Sequence, residues 1–301
     1  MTIHPIDVRY LGVDQAAWSF LVRGPAGPAL VECGPAASWS SLERGLQASG
    51  LAPSDVGDLL LTHIHLDHAG AAGHLAAHGT RVHVHPFGAP HLIDPGKLLA
   101  SSRRVHGPVY ERFYGDLLAV PTDQVHAVQD GSQVHAAGLR WTAIHTPGHA
   151  RHHIVWLLDT QAQRHAFMGD LAGIRVPESD FLLMPTPPPE FDPHAWIASL
   201  ARVIDAAPTH LWLTHGGLVA EDRAASERFL RRAEAAIREE TAALRTEVQQ
   251  EPGVAERAVL GRLRPRAARA GVSPERMAQF IDVGFARMNL AGARRTFQPR
   301  S

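Results

Sequence analysis

Cysteine and long apolar runs are nearly absent from this chain of 301 residues. Cys33 is the only cysteine, so no intramolecular disulfide can form, and this scarcity favours a reducing compartment, the cytoplasm. No apolar run approaches the length of a membrane span, and the first twenty residues lack the basic and apolar regions of a signal peptide. We therefore expect a cytoplasmic protein with no membrane partner.

An excess of charge of either sign is also missing. The 29 Lys and Arg residues nearly balance the 30 Asp and Glu residues, which leaves a net charge of −1. Nucleic-acid binding depends on neutralising phosphates, so this balance argues against a nucleic-acid partner. With 45% hydrophobic residues, the composition predicts a globular protein with a substantial core. The motifs below, not the composition, lead us to expect a small-molecule substrate.

Histidine, in contrast, is abundant, and four metal-binding side chains fall within six residues: His63, His65, Asp67 and His68. They follow the apolar, strand-like segment 58–61, which would deliver them to the edge of a sheet. Neutral imidazoles suit zinc and similar metals, and a carboxylate compensates charge. His63 and His65 share a face if the strand continues, while Asp67 and His68 lie on the turn that follows. Such a geometry can serve two metal ions.

Three further residues repeat this local design. His149, Asp170 and His215 each follow a short apolar segment that reads as a strand. Gly169 lets the backbone turn sharply just before Asp170. Because open α/β sheets place their sites at strand ends, we expect all three side chains to join the histidine cluster.

The order of these motifs is His-x-His-x-Asp-His, Thr-Pro-Gly-His, Gly-Asp and Thr-His-Gly. It resembles the metallo-β-lactamase superfamily, specifically its glyoxalase-II-like branch, over roughly residues 5–220. The resemblance implies an α+β fold, an αββα sandwich of two mixed sheets with helices outside and a binuclear site at one sheet edge. By motif position, one metal would take His63, His65 and His149. The other would take Asp67, His68 and His215, with Asp170 bridging both.

This ligand set implies a metal-dependent hydrolase. Two divalent ions, zinc in the first place and manganese or iron as alternatives, would share a hydroxide that attacks an ester-like bond. Asp67 would both ligate a metal and orient the nucleophile. The bond would belong to a thioester, a lactone or a carboxylic ester. Segment 171–176 lacks the lysine and tyrosine that glyoxalase-II enzymes carry after the bridging aspartate, so the motifs do not identify the substrate.

Three other functions remain open. A mononuclear iron persulfide dioxygenase of the same fold also contains His-x-His-x-Asp-His, and its metal content would distinguish it. A phosphodiesterase is disfavoured by the near-neutral charge. A non-catalytic metal-binding scaffold is disfavoured because a structural site closed by four ligands would not need Asp170.

The motifs divide the chain into a catalytic domain, 1–220, and a helical C-terminal appendage, 221–301. The appendage would shape the substrate pocket or form the surface of a homodimer. Within the catalytic domain, residues 86–125 form an insertion that we interpret as a lid or one wall of the pocket. The candidate substrate contacts are Tyr110, Tyr114, His153 and Arg175, with His153 placed either in the cleft or behind the metal ligands.

Capping residues predict where several helices begin. Ser40 with Glu43 predicts a helix that Gly50 ends, and Asp192-Pro193 and Ser273-Pro274 predict two more. From Ala293 onward the sequence predicts a loosely ordered end.

Overall fold

The first half of the chain builds one mixed sheet from short apolar strands separated by turns. The computed structural model describes residues 1–298. In spatial order the six strands are β1 (Thr2–Asp7), β2 (Trp18–Gly24), β3 (Gly27–Val31), β4 (Asp58–Leu60), β5 (Arg81–Val84) and β6 (Val125–Ala127). The pairs β1–β2 and β2–β3 are antiparallel, and the later pairs are parallel.

The second half builds a second six-stranded sheet. Its spatial order is β14 (Gly217–Ala220), β13 (His210–Leu213), β10 (Arg164–Phe167), β9 (Ile154–Asp159), β8 (Leu139–His145) and β7 (Gln133–Ala136). Only β10 and β13 pair in parallel; the other neighbours are antiparallel. A two-stranded ribbon of β11 (Ile174–Arg175) and β12 (Leu182–Leu183) lies beyond β10 in the chain.

Helices lie outside both sheets and beside one edge of the sandwich. They are α1 (Trp39–Ala48), α2 (Leu66–Ala69), α3 (Ala72–Ala76), α4 (Ala89–Ile93), α5 (Gly96–His106), α6 (Tyr110–Phe113), α7 (Pro193–Asp205), α8 (Arg223–Glu247), α9 (Pro252–Arg269), α10 (Pro274–Phe280) and α11 (Phe285–Phe297). Between the sheets, Trp141, Trp156 and Phe167 pack in one core cluster. Leu42 of α1 packs beside the first sheet and Trp196 of α7 beside the second. The predicted α+β fold, an αββα sandwich with a C-terminal helical region, is confirmed.

The C-terminal helices share a core of their own that reaches back to the sandwich. Leu244 of α8, Val259 of α9 and Phe285 of α11 pack in one cluster with Val176 and Phe181, which flank the ribbon after β10. The helices therefore lie beside the edge where the strand-end loops emerge. Within residues 1–298, no helix combines the length and apolarity needed to span a bilayer.

Most predicted helix starts are confirmed. Asp192 caps α7 by accepting hydrogen bonds from the backbone N–H groups of residues 194 and 195, and Ser273 caps α10. The first helix starts slightly earlier than predicted, at Trp39. The prediction of a loose end from Ala293 is wrong as far as Phe297, because Ala293 is buried and α11 continues. Residues 299–301 lie outside the described part of the chain.

Candidate metal centre

The first group of ligand atoms is formed by three imidazoles at strand ends. His63 Nε2 and His149 Nε2 each lie 2.9 Å from His65 Nδ1. His63 and His65 follow β4, whereas His149 comes from the loop between β8 and β9. We call these residues cluster one; their nitrogens are close enough to hold one metal ion.

A second group lies beside the first. Asp67 Oδ2 is 3.4 Å from His215 Nε2 and 4.0 Å from His68 Nε2, and these three residues form cluster two. Asp170 lies between the clusters. Its Oδ2 is 3.3 Å from His149 Nε2, and its Oδ1 is 3.3 Å from His68 Nε2. The structure thus brings together all seven residues that the sequence indicates as ligands.

Several of these atoms are suited to bind a metal ion, because no hydrogen bond satisfies them. His68 Nε2, His215 Nε2 and Asp170 Oδ1 are buried without a hydrogen-bond partner within residues 1–298. The 3.3 Å between His68 Nε2 and Asp170 Oδ1 is close in distance but does not have hydrogen-bond geometry. Buried polar atoms are rarely left unpaired, since each one costs roughly 1–3 kcal/mol. Nitrogen and carboxylate ligands of this kind suit zinc and similar divalent metals.

The far sides of the imidazole rings are anchored to the backbone. His215 Nδ1 lies 2.6 Å from the carbonyl oxygen of Ala16, and His149 Nδ1 lies 3.0 Å from that of Pro185. Because each Nδ1–H donates to a carbonyl, each Nε2 is free to face the centre. Such partners fix the tautomer and orientation of a metal-binding histidine.

Glu32 supports cluster two and was missed by the sequence reasoning. Its Oε1 is 3.1 Å from His68 Nδ1 and accepts a hydrogen bond of 3.2 Å from Thr214 Oγ1. The residue is fully buried and has a φ of 64°, a left-handed conformation that is uncommon outside glycine. Ser19 Oγ stabilises it by donating to the Glu32 carbonyl. The available signal was an acid placed directly after the apolar strand β3.

Electrostatics differ between the clusters. Burial, reinforced by neighbouring histidines, lowers the pKa of His63 well below its ordinary value, and the pKa of His65 falls to about 3. Cluster one is therefore neutral and ready to bind a cation at pH 7. Burial also acts to lower the pKa of His68, but Asp170, Glu32 and other carboxylates outweigh it and raise that pKa. A metal entering cluster two must displace a proton from His68.

The comparisons with known proteins identify the family. The sequence profile described as the metallo-beta-lactamase superfamily matches residues 12–210. The chain belongs to the metallo-β-lactamase superfamily. Members of this superfamily bind metal ions and are mostly hydrolytic enzymes.

Two curated relatives match part of this superfamily member. ST1585 of Sulfurisphaera tokodaii, a metallo-beta-lactamase fold-containing protein, is 33% identical over 165 residues, which are 54% of the chain and 60% of ST1585. The lactamase-like protein adaB of Aspergillus niger is 27% identical over 212 residues, 69% of the chain and 52% of adaB. The matched stretches therefore span little more than half the length of these relatives.

Solved structures of the superfamily extend the likeness to nearly the whole fold. TTHA1429 of Thermus thermophilus superimposes with a TM-score of 0.67 at 22% identity, covering 99% of this chain and 92% of TTHA1429. The archaeal ST1585 structure gives a TM-score of 0.63 at 22% identity and covers 97% and 98%. At these identities the structures show the fold alone.

Gly169 and His153 position the carboxylate of Asp170 in this metallo-β-lactamase superfamily chain. Gly169 has a φ of 50°, and a Cβ there would collide with Thr62 Oγ1. His153 Nε2 accepts a hydrogen bond of 3.3 Å from the Asp170 backbone N–H, and its Nδ1 lies 2.8 Å from Thr146 Oγ1. His153 is fully buried behind Asp170 and does not line the cleft, which corrects its inclusion among the substrate contacts.

A cavity of about 710 Å³ opens over the two clusters. Its floor, as we define it, consists of the ligand residues that line it: His65, Asp67, His149, Asp170 and His215. Two helical segments form its walls. We call residues 98–113 the insertion wall and residues 279–291 the C-terminal wall. The volume falls in the range of small-molecule sites.

The other three candidate substrate contacts separate into one that reaches this cavity and two that do not. Tyr114 lines the cavity, and its hydroxyl accepts a hydrogen bond of 2.8 Å from Tyr10, a lining residue that the sequence reasoning missed. Tyr110 is buried and its hydroxyl donates to the Gly115 carbonyl. Arg175 donates to the Gly216 carbonyl and is not part of the lining. Packing therefore directs the polar groups of Tyr110 and Arg175 toward backbone carbonyls and away from this cavity.

Proposed function

We propose that the protein is a binuclear metal-dependent hydrolase of an ester-like bond, in a thioester, a lactone or a carboxylic ester. Zinc is the proposed metal, the cytoplasm the proposed location, and the glyoxalase-II-like branch the proposed place in the superfamily. The observation that supports this function is the position of Asp170, which directs one carboxylate oxygen toward each cluster. A single-ion site would leave one of these oxygens without a role.

The residues of the floor would have different roles: some would bind the metal ions, and Asp67 would also orient the attacking water. When bound, a pair of divalent ions lowers the pKa of water and polarises a carbonyl group. Without metal, His68 and His215 outweigh the effect of burial and hold the pKa of Asp67 low, so Asp67 is ionised before a metal enters; a bound cation would take over this role from the displaced protons. Asp67 can therefore accept a hydrogen bond from the attacking water and orient it toward the substrate.

Tyr114 would hold the substrate above the floor. Burial, together with the nearby Asp67 charge, raises the pKa of Tyr114, so its hydroxyl stays protonated. Because this hydroxyl accepts from Tyr10, its own proton is available for a substrate oxygen. The helical walls limit access of bulk water to the reacting centre.

Elemental analysis of the protein purified without added metal is the first test. We expect about two ions per chain, together with hydrolysis of at least one member of a panel of thioesters, lactones and esters. Asp170→Asn is the matched variant, because it keeps the shape of the side chain and removes the charge. One iron per chain with oxygen uptake on a persulfide would replace the proposal with a dioxygenase. A metal-loaded protein without activity on the panel would reject ester hydrolysis.

A further inference from the structure

The walls of the cavity are strongly apolar, unlike its floor. Leu98 and Phe113 contribute to the insertion wall, and Phe280, Phe285 and Met288 to the C-terminal wall. A third side is made of prolines 185 and 187–189. A polar substrate of metabolite size would either leave this apolar surface in contact with water or bury its own polar groups against it without hydrogen bonds. The lining instead matches a ligand with a large hydrocarbon part.

Three valines show that part of this apolar surface is exposed. Val105 and Val109 of the insertion wall are 47% and 39% exposed, and Val283 of the C-terminal wall is 39% exposed. They extend the apolar lining out to both sides of the opening. Exposed apolar side chains at a cleft are typical of a ligand-binding site.

The charges of the walls are of one sign. Arg104 lines the insertion wall and Arg287 the C-terminal wall, and within residues 1–298 no acid outside the floor lines the cavity. Arg104 is exposed and has no ion-pair partner in the described part of the chain, while Arg287 is 3.6 Å from Glu256. Two arginines with no carboxylate lining either wall favour an anionic ligand group at the walls.

We propose that the substrate is an anionic acyl ester or thioester whose long hydrocarbon acyl chain lies between the two walls. The scissile carbonyl then lies at the floor, and the anionic group of the alcohol or thiol part contacts Arg104 and Arg287. This assignment rests on the proposed hydrolase function. In the reaction, water adds to the acyl carbon, the carbon–sulfur or carbon–oxygen bond breaks, and the acid and the protonated thiol or alcohol leave.

A series of thioesters that differ only in acyl length tests the hydrocarbon part. From acetyl to decanoyl, we expect kcat/KM to rise roughly fourfold per added methylene until the cavity is filled, since each buried methylene contributes about 0.8 kcal/mol. The triple variant Val105→Ser, Val109→Ser, Val283→Ser should lower kcat/KM for the decanoyl substrate on the order of tenfold, and by a much smaller factor for the acetyl substrate. Val254→Ser is the matched control, because Val254 is 45% exposed on α9 and lies outside the cavity. A flat chain-length profile would overturn the assignment.

The anionic part needs a second pair of substrates with the same acyl group, one on a neutral thiol and one on a phosphorylated thiol. Arg104→Gln with Arg287→Gln should lower kcat/KM for the phosphorylated thioester roughly threefold to tenfold at low salt, with a much smaller effect on the neutral one. Arg269→Gln, on the exposed end of α9 outside the cavity, is the control. Equal losses for both substrates would overturn the role of the arginines.

Direct binding separates failure of this assignment from failure of the proposed hydrolase function. Decanoate should bind the metal-loaded protein with a negative heat-capacity change, and the triple serine variant should weaken this binding on the order of tenfold. If decanoate binds in this way but no ester is cleaved, the hydrolase proposal fails and the hydrocarbon site stands. If short esters are cleaved while decanoate does not bind, the hydrolase proposal stands and this assignment fails.

Discussion

The floor and the walls of the cavity differ in how their side chains are held in place. On the floor, His149 and His215 are fixed on their far sides by the backbone carbonyls of Pro185 and Ala16. On the walls, apolar side chains such as Val105 and Val283 stay partly in water and have no fixed partner. We infer that the sandwich sets the reaction and the added helices set the substrate.

The largest effect should come from the centre of the floor. Asp170→Ala removes the carboxylate that lies between the clusters, so metal content should fall below two ions and hydrolysis should drop at least roughly a thousandfold, equivalent to about 4 kcal/mol of transition-state stabilisation. Metal analysis and single-turnover rates on one preparation measure both. Asp123→Ala, at an exposed aspartate, is the control. Wild-type activity in Asp170→Ala would exclude the binuclear mechanism.

A smaller loss should follow from a residue behind the floor. Glu32→Gln keeps the volume of the side chain but removes the charge that faces His68 Nδ1. Changing such partners typically weakens metal binding roughly 10- to 100-fold, and we expect a loss of about this size in competition with a chelator. Glu221→Gln, on an exposed loop, should have no effect. Unchanged metal affinity in Glu32→Gln would show that His68 does not depend on this partner.

One residue connects the C-terminal wall with the floor, and its substitution measures whether the wall influences the metal centre. Asn289 of α11 donates to the Met184 carbonyl at 2.9 Å and accepts from the Thr186 N–H at 3.0 Å. Between them, Pro185 carries the carbonyl that anchors His149. Asn289→Ala leaves two buried backbone groups unpaired, so the free energy of unfolding should fall by about 2 kcal/mol.

Denaturant unfolding of the metal-free and the metal-loaded protein measures this connection. If Asn289 positions His149, metal should stabilise the variant less than it stabilises the wild-type protein. Equal stabilisation of both would mean that the C-terminal helix supports the segment 184–186 without influencing the metal centre. The floor and the walls would then be independent.

How far the sequence predicts each region follows from the range of the contacts involved. The floor residues follow short apolar strands, so local patterns indicate them, and the structure brings them together. The sequence does not indicate the role of Glu32, because a single acid after a strand is common. That role depends on contacts with His68 and Thr214, which are distant in sequence. The packing of α10 and α11 over the floor depends on similar long-range contacts, which no local pattern contains.

The two tyrosines of the insertion show the same limit on a smaller scale. Tyr110 and Tyr114 are four residues apart at the two ends of the short helix α6, and composition alone treats them alike. Only the packing decides that the Tyr110 hydroxyl faces the Gly115 carbonyl, while Tyr114 faces the cavity and Tyr10. Side-chain direction is thus the least predictable part of the site.

The smallest effect should distinguish these two tyrosines. Tyr114→Phe removes one hydrogen bond to substrate, worth about 1 kcal/mol, so kcat/KM should fall roughly fivefold while metal content stays the same. Tyr110→Phe is the matched control and should leave the kinetic constants unchanged, because its hydroxyl faces the backbone. An equal loss in both variants would mean that the insertion wall acts on the substrate through its packing as a whole. A loss in neither would leave recognition to the apolar side chains and the arginines of the walls.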